Sequence, residues 1–184
     1  MMKGVVSFGI CFAFLFNIWN MQNKFFRRFG LTDAYTSALN GILLFVSLIY
    51  VYPLKFLTSL IGTEDQFNDH GHLVSKITSA QVPMLMIIYA SGLGVIYLLF
   101  FLMYQNAHRH ALILHLTPQE LFETKTLGYG NLLAVGVCVL SITTALILPQ
   151  ATAGNAGFIF FLLGPAYSFW YAYRGKKSRL MFGH

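Results

Sequence analysis

The sequence predicts an all-α fold, a polytopic membrane helix bundle with about five transmembrane helices in one membrane domain that covers residues 1–184. Composition gives the first indication, because 57% of the residues are hydrophobic and 10% are charged, against roughly 25% charged residues in a soluble domain. The second is the stretch 126–173, which has no charged side chain. A turn-like segment after Pro149 divides it, and each half is long enough to cross ~30 Å of hydrocarbon. A soluble enzyme domain is therefore excluded.

The predicted spans are the apolar runs of the chain, at about residues 4–23, 34–60, 81–106, 127–148 and 156–173. Trp19 ends the first run where an interfacial aromatic residue belongs. No small-residue cleavage site follows it, which argues against the alternative of a signal peptide. Pro53 is expected to bend the last turns of the second span, and Pro83 lies in the first turn of the third, where proline is tolerated.

Lysine and arginine residues near the span ends predict the orientation, because such residues are enriched on the cytoplasmic side. With the amino terminus outside, only Lys3, Lys55 and Lys76 lie outside. The residues that then lie inside are Lys24, Arg27, Arg28, Arg109, Lys125, Arg174, Lys176, Lys177 and Arg179. Since the span number is odd, the carboxyl terminus is predicted in the cytoplasm.

Two connections between the predicted spans contain recognisable residue patterns. Thr117 and Glu120, in the string Thr-Pro-Gln-Glu, match a capping box that starts a helix on the cytoplasmic side and leads into the fourth span. The predicted outer loop carries Glu64, Asp65 and Asp69, which would concentrate cations by simple electrostatics if they lay near an ion entrance. Screened, solvated loop charge is the favoured interpretation of these three carboxylates.

Catalysis and metal binding are both disfavoured. Ionisable residues within spans mark function, and the predicted spans contain none apart from Lys55 near one end, so neither a catalytic residue nor a metal or cofactor site is predicted. His108, His110 and His115 allow a metal site as an alternative, but histidines at a helix carboxyl terminus are the favoured interpretation. The basic residues flank apolar runs, which predicts a lipid bilayer as partner and no nucleic acid.

Several motifs resemble the transmembrane protein 175 family, which includes endolysosomal potassium channels of animals and shorter prokaryotic relatives. The resembling strings are residues 19–28, which begin with Trp19, then Asp33, residues 40–45, which begin with Asn40, and residues 52–57, which include Pro53. The resemblance covers nearly the whole chain. It implies six helices, a homotetramer, and a potassium-selective pore lined by a first helix with an Arg-x-x-x-Phe-Ser-Asp signature.

The sequence departs from that pattern in two places. It contains no Arg-x-x-x-Phe-Ser-Asp string, so the alignment begins at the second family helix, and Gln22 and Asn23 stand where the family has histidine. The expected function is a subunit of a homo-oligomeric potassium channel in a prokaryotic plasma membrane, with K⁺ as permeant ion. The alternatives are a non-conducting membrane scaffold or assembly protein and, last, a metal enzyme or transporter that uses the three histidines and Glu120.

Overall fold

A computed structural model describes residues 2–31, 33–62, 66–69, 72–75, 82–148 and 153–183. Its elements are α1 (Met2–Phe29), α2 (Ala34–Gly62), β1 (Gln66–Asp69), β2 (His72–Ser75), α3 (Val82–Arg109), α4 (Pro118–Ile147), a 3₁₀ helix (Ala153–Leu162) and α5 (Leu163–Phe182). The all-α membrane bundle that the sequence predicts is confirmed. The strand pair is its one small β addition within the described residues.

A tight turn joins α1 to α2. Gly30 has a φ of 56°, a left-handed conformation that glycine adopts at low cost, and its N–H donates to the Phe26 carbonyl at 2.9 Å. Asp33 then caps α2, because its Oδ2 accepts from the backbone N–H of Thr36 at 3.1 Å. The two helices therefore run antiparallel from a connection of few residues.

A short antiparallel strand pair follows α2, where the sequence predicted only a loop. The register places Phe67 opposite Val74 and Asn68 opposite Leu73. Only two residues separate the strands in sequence, and such a short connection is typical of a β-hairpin. A two-strand unit this small carries little periodicity, which is why the amino-acid pattern did not predict it.

The pair α3 and α4 forms the most extensive helix contact in the bundle. Glycines allow the close approach: a Cβ added at Gly94 would lie 3.3 Å from the Cys138 Cβ, and one at Gly128 would lie 3.4 Å from the Tyr104 Cβ. Small residues at helix interfaces are the usual way for membrane helices to pack.

The buried core lies between α1, α2 and α3. Phe25, Leu43, Phe100 and Met103 are fully buried, and the ring of Phe25 meets the ring of Tyr104 edge-to-face with centroids 5.3 Å apart. The outward faces of the bundle are also apolar, as the surface of a lipid-embedded protein should be. Examples of exposed apolar side chains are Phe8, Phe12, Phe16, Phe45, Tyr52, Phe158, Phe161 and Phe169.

Three helices in the part of the chain that the structure describes are long and apolar enough to cross a membrane, at Ala34–Pro53, Pro83–Arg109 and Pro118–Ile147. The predicted first span lies within α1. The predicted fifth span is divided between the 3₁₀ helix and the first half of α5, whereas its sequence pattern suggested one continuous α-helix. A 3₁₀ helix rises ~2.0 Å per residue instead of ~1.5 Å, so the charge-free chain here remains long enough to cross ~30 Å.

Candidate functional site

One end of the bundle, which we call the basic end, is formed by the carboxyl ends of α1, α3 and α5 and the amino ends of α2 and α4. Contacts between these ends establish the grouping: Arg28 of α1 forms an ion pair with Glu123 of α4 at 2.6 Å. Arg174 of α5 donates to the Thr126 hydroxyl of α4 at 2.8 Å. The basic residues at this end are Lys24, Arg27, Arg28, Arg109, Lys125, Arg174, Lys176, Lys177 and Arg179.

Just inside this end lies a polar layer that joins α1, α2 and α3. It consists of Gln22, Asp33, Thr36, Asn40 and Asn106, all buried or half-buried. The side-chain amide nitrogen of Gln22 donates to Oδ1 of the Asn40 side chain and so connects α1 to α2. Replacement of the Gln22 amide by an apolar group would leave the Asn40 side-chain oxygen unpaired.

The Asn106 side chain is the centre of the second part of the polar layer. Its amide nitrogen donates to Asp33 Oδ2 at 3.1 Å and to the Thr36 hydroxyl at 3.0 Å. Its backbone oxygen lies 3.0 Å from Nδ1 of His110 one turn later. Asn106 thus contacts the start of α2 through its side chain and the end of its own helix, α3, through its backbone oxygen.

Hydrogen bonding favours the charged form of Asp33. The pKa of its carboxyl lies below the ordinary value, because hydrogen bonds from the Thr36 side chain, the Thr36 backbone and the Asn106 amide outweigh the effect of partial desolvation. Within the described residues, the second carboxylate oxygen, Oδ1, is buried and has no partner.

The structure brings together only two of the residues that the family resemblance singled out, Gln22 and Asn40. Trp19 is 55% exposed and stacks on Phe16 with ring centroids 5.6 Å apart. Asn23 is half-buried and forms no side-chain hydrogen bond within the described part of the chain. Pro53 lies inside α2, which continues to Gly62.

The two loop predictions have different outcomes. The capping box is present at the start of α4: the Thr117 hydroxyl accepts from the Glu120 N–H at 3.3 Å, and the Glu120 carboxylate accepts from the Thr117 N–H at 2.8 Å. Glu64 and Asp65 lie outside the described residues. Asp69 is the last residue of β1, and its side chain also lies outside them. The proposed cation-attracting role of this loop stays a prediction.

Two members of the polar layer, Thr36 and Asn106, were missed by sequence reasoning. Asp33 followed by Thr36 is a helix amino-terminal pattern that could have identified the first of them. No local pattern marks Asn106, because its partners lie 70 and 73 residues away along the chain.

The histidines near the end of α3 are not grouped with other metal-ligating side chains in the part of the chain that the structure describes. Across the described residues, no three His, Cys, Asp or Glu side chains are grouped closely enough to hold a metal ion. His115 is exposed and has a φ of 50°, in the turn that precedes α4. The metal alternative therefore gains no support from the described residues.

A cavity of about 330 Å³ opens between α1, α3, α4 and α5. Its lining includes the side chains of Tyr97, Tyr104, Asn131 and Tyr167, with Lys24 at the basic end. The phenol and amide groups are neutral donors and acceptors, so they add polar atoms to a mostly apolar lining without adding negative charge.

Comparisons with known proteins agree with the fold and with the motifs. No family model matches the chain. A curated protein of Marivirga tractuosa named "Potassium channel" is 36% identical over an alignment that covers 97% of this chain and 75% of that protein. The crystal structure of a variant of the potassium channel MtTMEM175, in complex with a nanobody–MBP fusion protein, is 35% identical and has a TM-score of 0.81. That match covers 95% of this chain and 79% of the solved chain. The chain therefore belongs to the transmembrane protein 175 family, an integral membrane family that its motifs around Trp19 and Asn40 predicted.

Proposed function

We propose that this chain is a subunit of a homo-oligomeric, potassium-selective cation channel. The observation that carries the proposal is the likeness to the potassium channel MtTMEM175, at 35% identity and a TM-score of 0.81 over 95% of this chain. Identity and fold agree over nearly the full length, which is far more than one shared motif would supply. The relatives are channels rather than enzymes, and no catalytic role is proposed.

The helices of this chain are proposed to form both the pore and the bundle that supports it. The family resemblance assigns the pore lining to a helix with an Arg-x-x-x-Phe-Ser-Asp signature, and that string does not occur in this sequence, so a channel formed by this chain alone would be lined by the helices present. The polar layer has the properties that a supporting bundle needs, because hydrogen bonds from Gln22 and Asn106 fix α1, α2 and α3 relative to one another. Rigid supporting elements hold a functional site in a defined geometry.

The proposed location is a prokaryotic plasma membrane, with the basic end in the cytoplasm. Positive charge favours the cytoplasmic side, and Arg28, Lys125 and Arg174 all lie at this end. Fusions to alkaline phosphatase and to green fluorescent protein test the orientation. A carboxyl-terminal fusion to the fluorescent protein should be bright and the phosphatase fusion inactive. The reverse result would place the basic end outside.

Ion flux from purified protein tests the channel function. We expect proteoliposomes that contain the chain to release K⁺ down a gradient faster than Na⁺, while protein-free liposomes treated in parallel release neither. Addition of a potassium ionophore at the end measures the total trapped ion. Vesicles that contain folded, inserted protein but leak K⁺ no faster than protein-free vesicles would contradict the proposal and favour the scaffold alternative.

Oligomer size is a separate test. The family resemblance implies four subunits, so native mass spectrometry should detect a species of about four times 20.7 kDa. A protein that is purely monomeric in detergent and still carries K⁺ flux after reconstitution into liposomes would contradict the homo-oligomer.

A further inference from the structure

A second cavity, of about 330 Å³, opens at the basic end between α1, α4 and α5. Thr126 and Arg174 lie on its wall; in the sequence Thr126 is the first residue of the stretch that has no charged side chain, and Arg174 is the first residue after it. The cavity therefore lies where the apolar helices end. In a bilayer this is the depth of the lipid headgroups.

Arg174 is held in position on this wall. Its Nε donates to the Thr126 hydroxyl at 2.8 Å, and one terminal nitrogen donates to the Phe122 carbonyl at 3.3 Å. Its guanidinium carbon lies 3.9 Å from the Phe122 ring centroid, a distance typical of a cation–π contact. Trp170 fixes the same turn of α4, because its indole N–H donates to the Thr126 carbonyl at 3.1 Å.

The guanidinium nevertheless keeps donors for a ligand. It has five N–H groups, of which these contacts use two. Within the described part of the chain Arg174 forms no ion pair. A fixed arginine with free donors and no carboxylate partner is suited to bind a phosphate, which its planar fork contacts through two parallel hydrogen bonds.

The surrounding charges favour an anion. Arg28 also lines the cavity, and its charge is offset by Glu123, whose Oε2 lies 2.6 Å away. Arg174 therefore leaves the wall with net positive charge. Lys176 and Arg179 follow on the same helix and line a neighbouring depression. The Ser178 hydroxyl, one turn after Arg174, adds a neutral donor to the wall.

We propose that this cavity binds the phosphate of an anionic membrane lipid, with Arg174 as the principal donor and the acyl chains lying along α4 and α5. The same phosphate chemistry exists in free inorganic phosphate. The position of the cavity at the end of the apolar helices selects the lipid, because burial of the acyl chains adds to the headgroup contacts.

Native mass spectrometry of the full-length chain in a neutral detergent tests the site by titration with phosphatidylglycerol. We expect saturable binding of a first lipid, with about tenfold weaker binding of zwitterionic phosphatidylcholine. Arg174→Gln should weaken phosphatidylglycerol binding about tenfold more than Lys177→Gln does. Lys177 is an exposed residue of the same helix that lines neither this cavity nor the neighbouring one, so the control loses the same charge.

Gly175→Leu tests the cavity without changing any charge. A Cβ added at Gly175 meets no atom within 4 Å, so a leucine fills open space and leaves the contacts of Arg174 intact. We expect thermal stability in detergent to be preserved and phosphatidylglycerol binding to fall about tenfold.

Three outcomes would overturn the proposal. Equal losses for Arg174→Gln and Lys177→Gln would mean diffuse attraction of anions by the basic end rather than a site. If a folded Gly175→Leu protein binds phosphatidylglycerol as tightly as the wild type does, the lipid lies elsewhere. Inorganic phosphate that binds as tightly as phosphatidylglycerol, with the same dependence on Arg174, would make free phosphate the ligand.

Discussion

Replacement of Asn106 by alanine should remove the centre of the polar layer. The substitution eliminates the hydrogen bonds of 3.1 Å to Asp33 and 3.0 Å to the Thr36 hydroxyl. In water-like surroundings a bond to a charged group contributes about 1.5–3 kcal/mol and a neutral bond about 0.5–1.5 kcal/mol. Interhelical bonds deep in a membrane average only ~0.6 kcal/mol.

The position of Asp33 and Asn106 relative to the membrane decides which of these hydrogen-bond energies applies. Asp33 precedes α2 and lies outside the predicted spans, and Asn106 is the last residue of its own predicted span. The water-like values therefore apply, and we expect Asn106→Ala to lower the free energy of unfolding by about 2–3 kcal/mol. The assay is reversible unfolding of purified protein in mixed micelles by titration with sodium dodecyl sulfate, followed by circular dichroism.

Gln105→Ala is the matched control. Gln105 immediately precedes Asn106 on α3, is exposed, and forms no side-chain hydrogen bond within the described part of the chain, so its replacement should change stability by less than about 0.5 kcal/mol. A double-mutant cycle of Asn106→Ala with Thr36→Val should show coupling of at least about 0.5 kcal/mol. Additive effects, or a loss for Asn106→Ala no larger than for Gln105→Ala, would refute the role of this layer.

Further predictions concern packing, capping and pH. Gly92→Ala should destabilise by about 1–3 kcal/mol, because the added Cβ would overlap the Tyr50 ring, which is buried and held by its hydrogen bond to the Tyr89 carbonyl. Gly136→Ala, which meets nothing within 4 Å, should instead stabilise by up to about 1 kcal/mol; thermal unfolding of the two proteins in detergent checks both signs. Thr117→Ala should cost about 0.5–2 kcal/mol and Thr117→Ser much less, measured by the same unfolding titration. Because the folded-state pKa of Asp33 lies below its ordinary 3.8, the stability advantage of wild type over Asp33→Asn should be complete above that pH and should shrink as pH falls through the lowered pKa. An advantage that grows on acidification would contradict that sign.

Predictions from sequence succeeded where the determining residues are close together in the chain. Thr117 and Glu120 are three residues apart, so the capping box could be identified without knowledge of the fold. The helices themselves were predicted for the same reason, because an apolar run is a local property. The basic end also followed from sequence, since the charges lie next to the apolar runs that they terminate.

Contacts between distant parts of the chain could not be predicted in this way. Asn106 meets Asp33 across 73 residues, and Arg174 meets Thr126 across 48. Neither pair has a spacing that distinguishes it from other polar residues at helix ends. The 3₁₀ helix was also missed, because its residues are as apolar as those of an α-helix and only backbone geometry separates the two.

The tight seam between α3 and α4 has a practical consequence. Cys138 is 1% exposed and lies directly against Gly94, so a fluorogenic maleimide can reach its sulfur only after the two helices separate. The labelling rate then reports opening of this one seam, while circular dichroism reports loss of helix everywhere. In a Cys11→Ala background, which removes the other native thiol, the chain carries its own reporter of helix separation at the largest contact in the bundle.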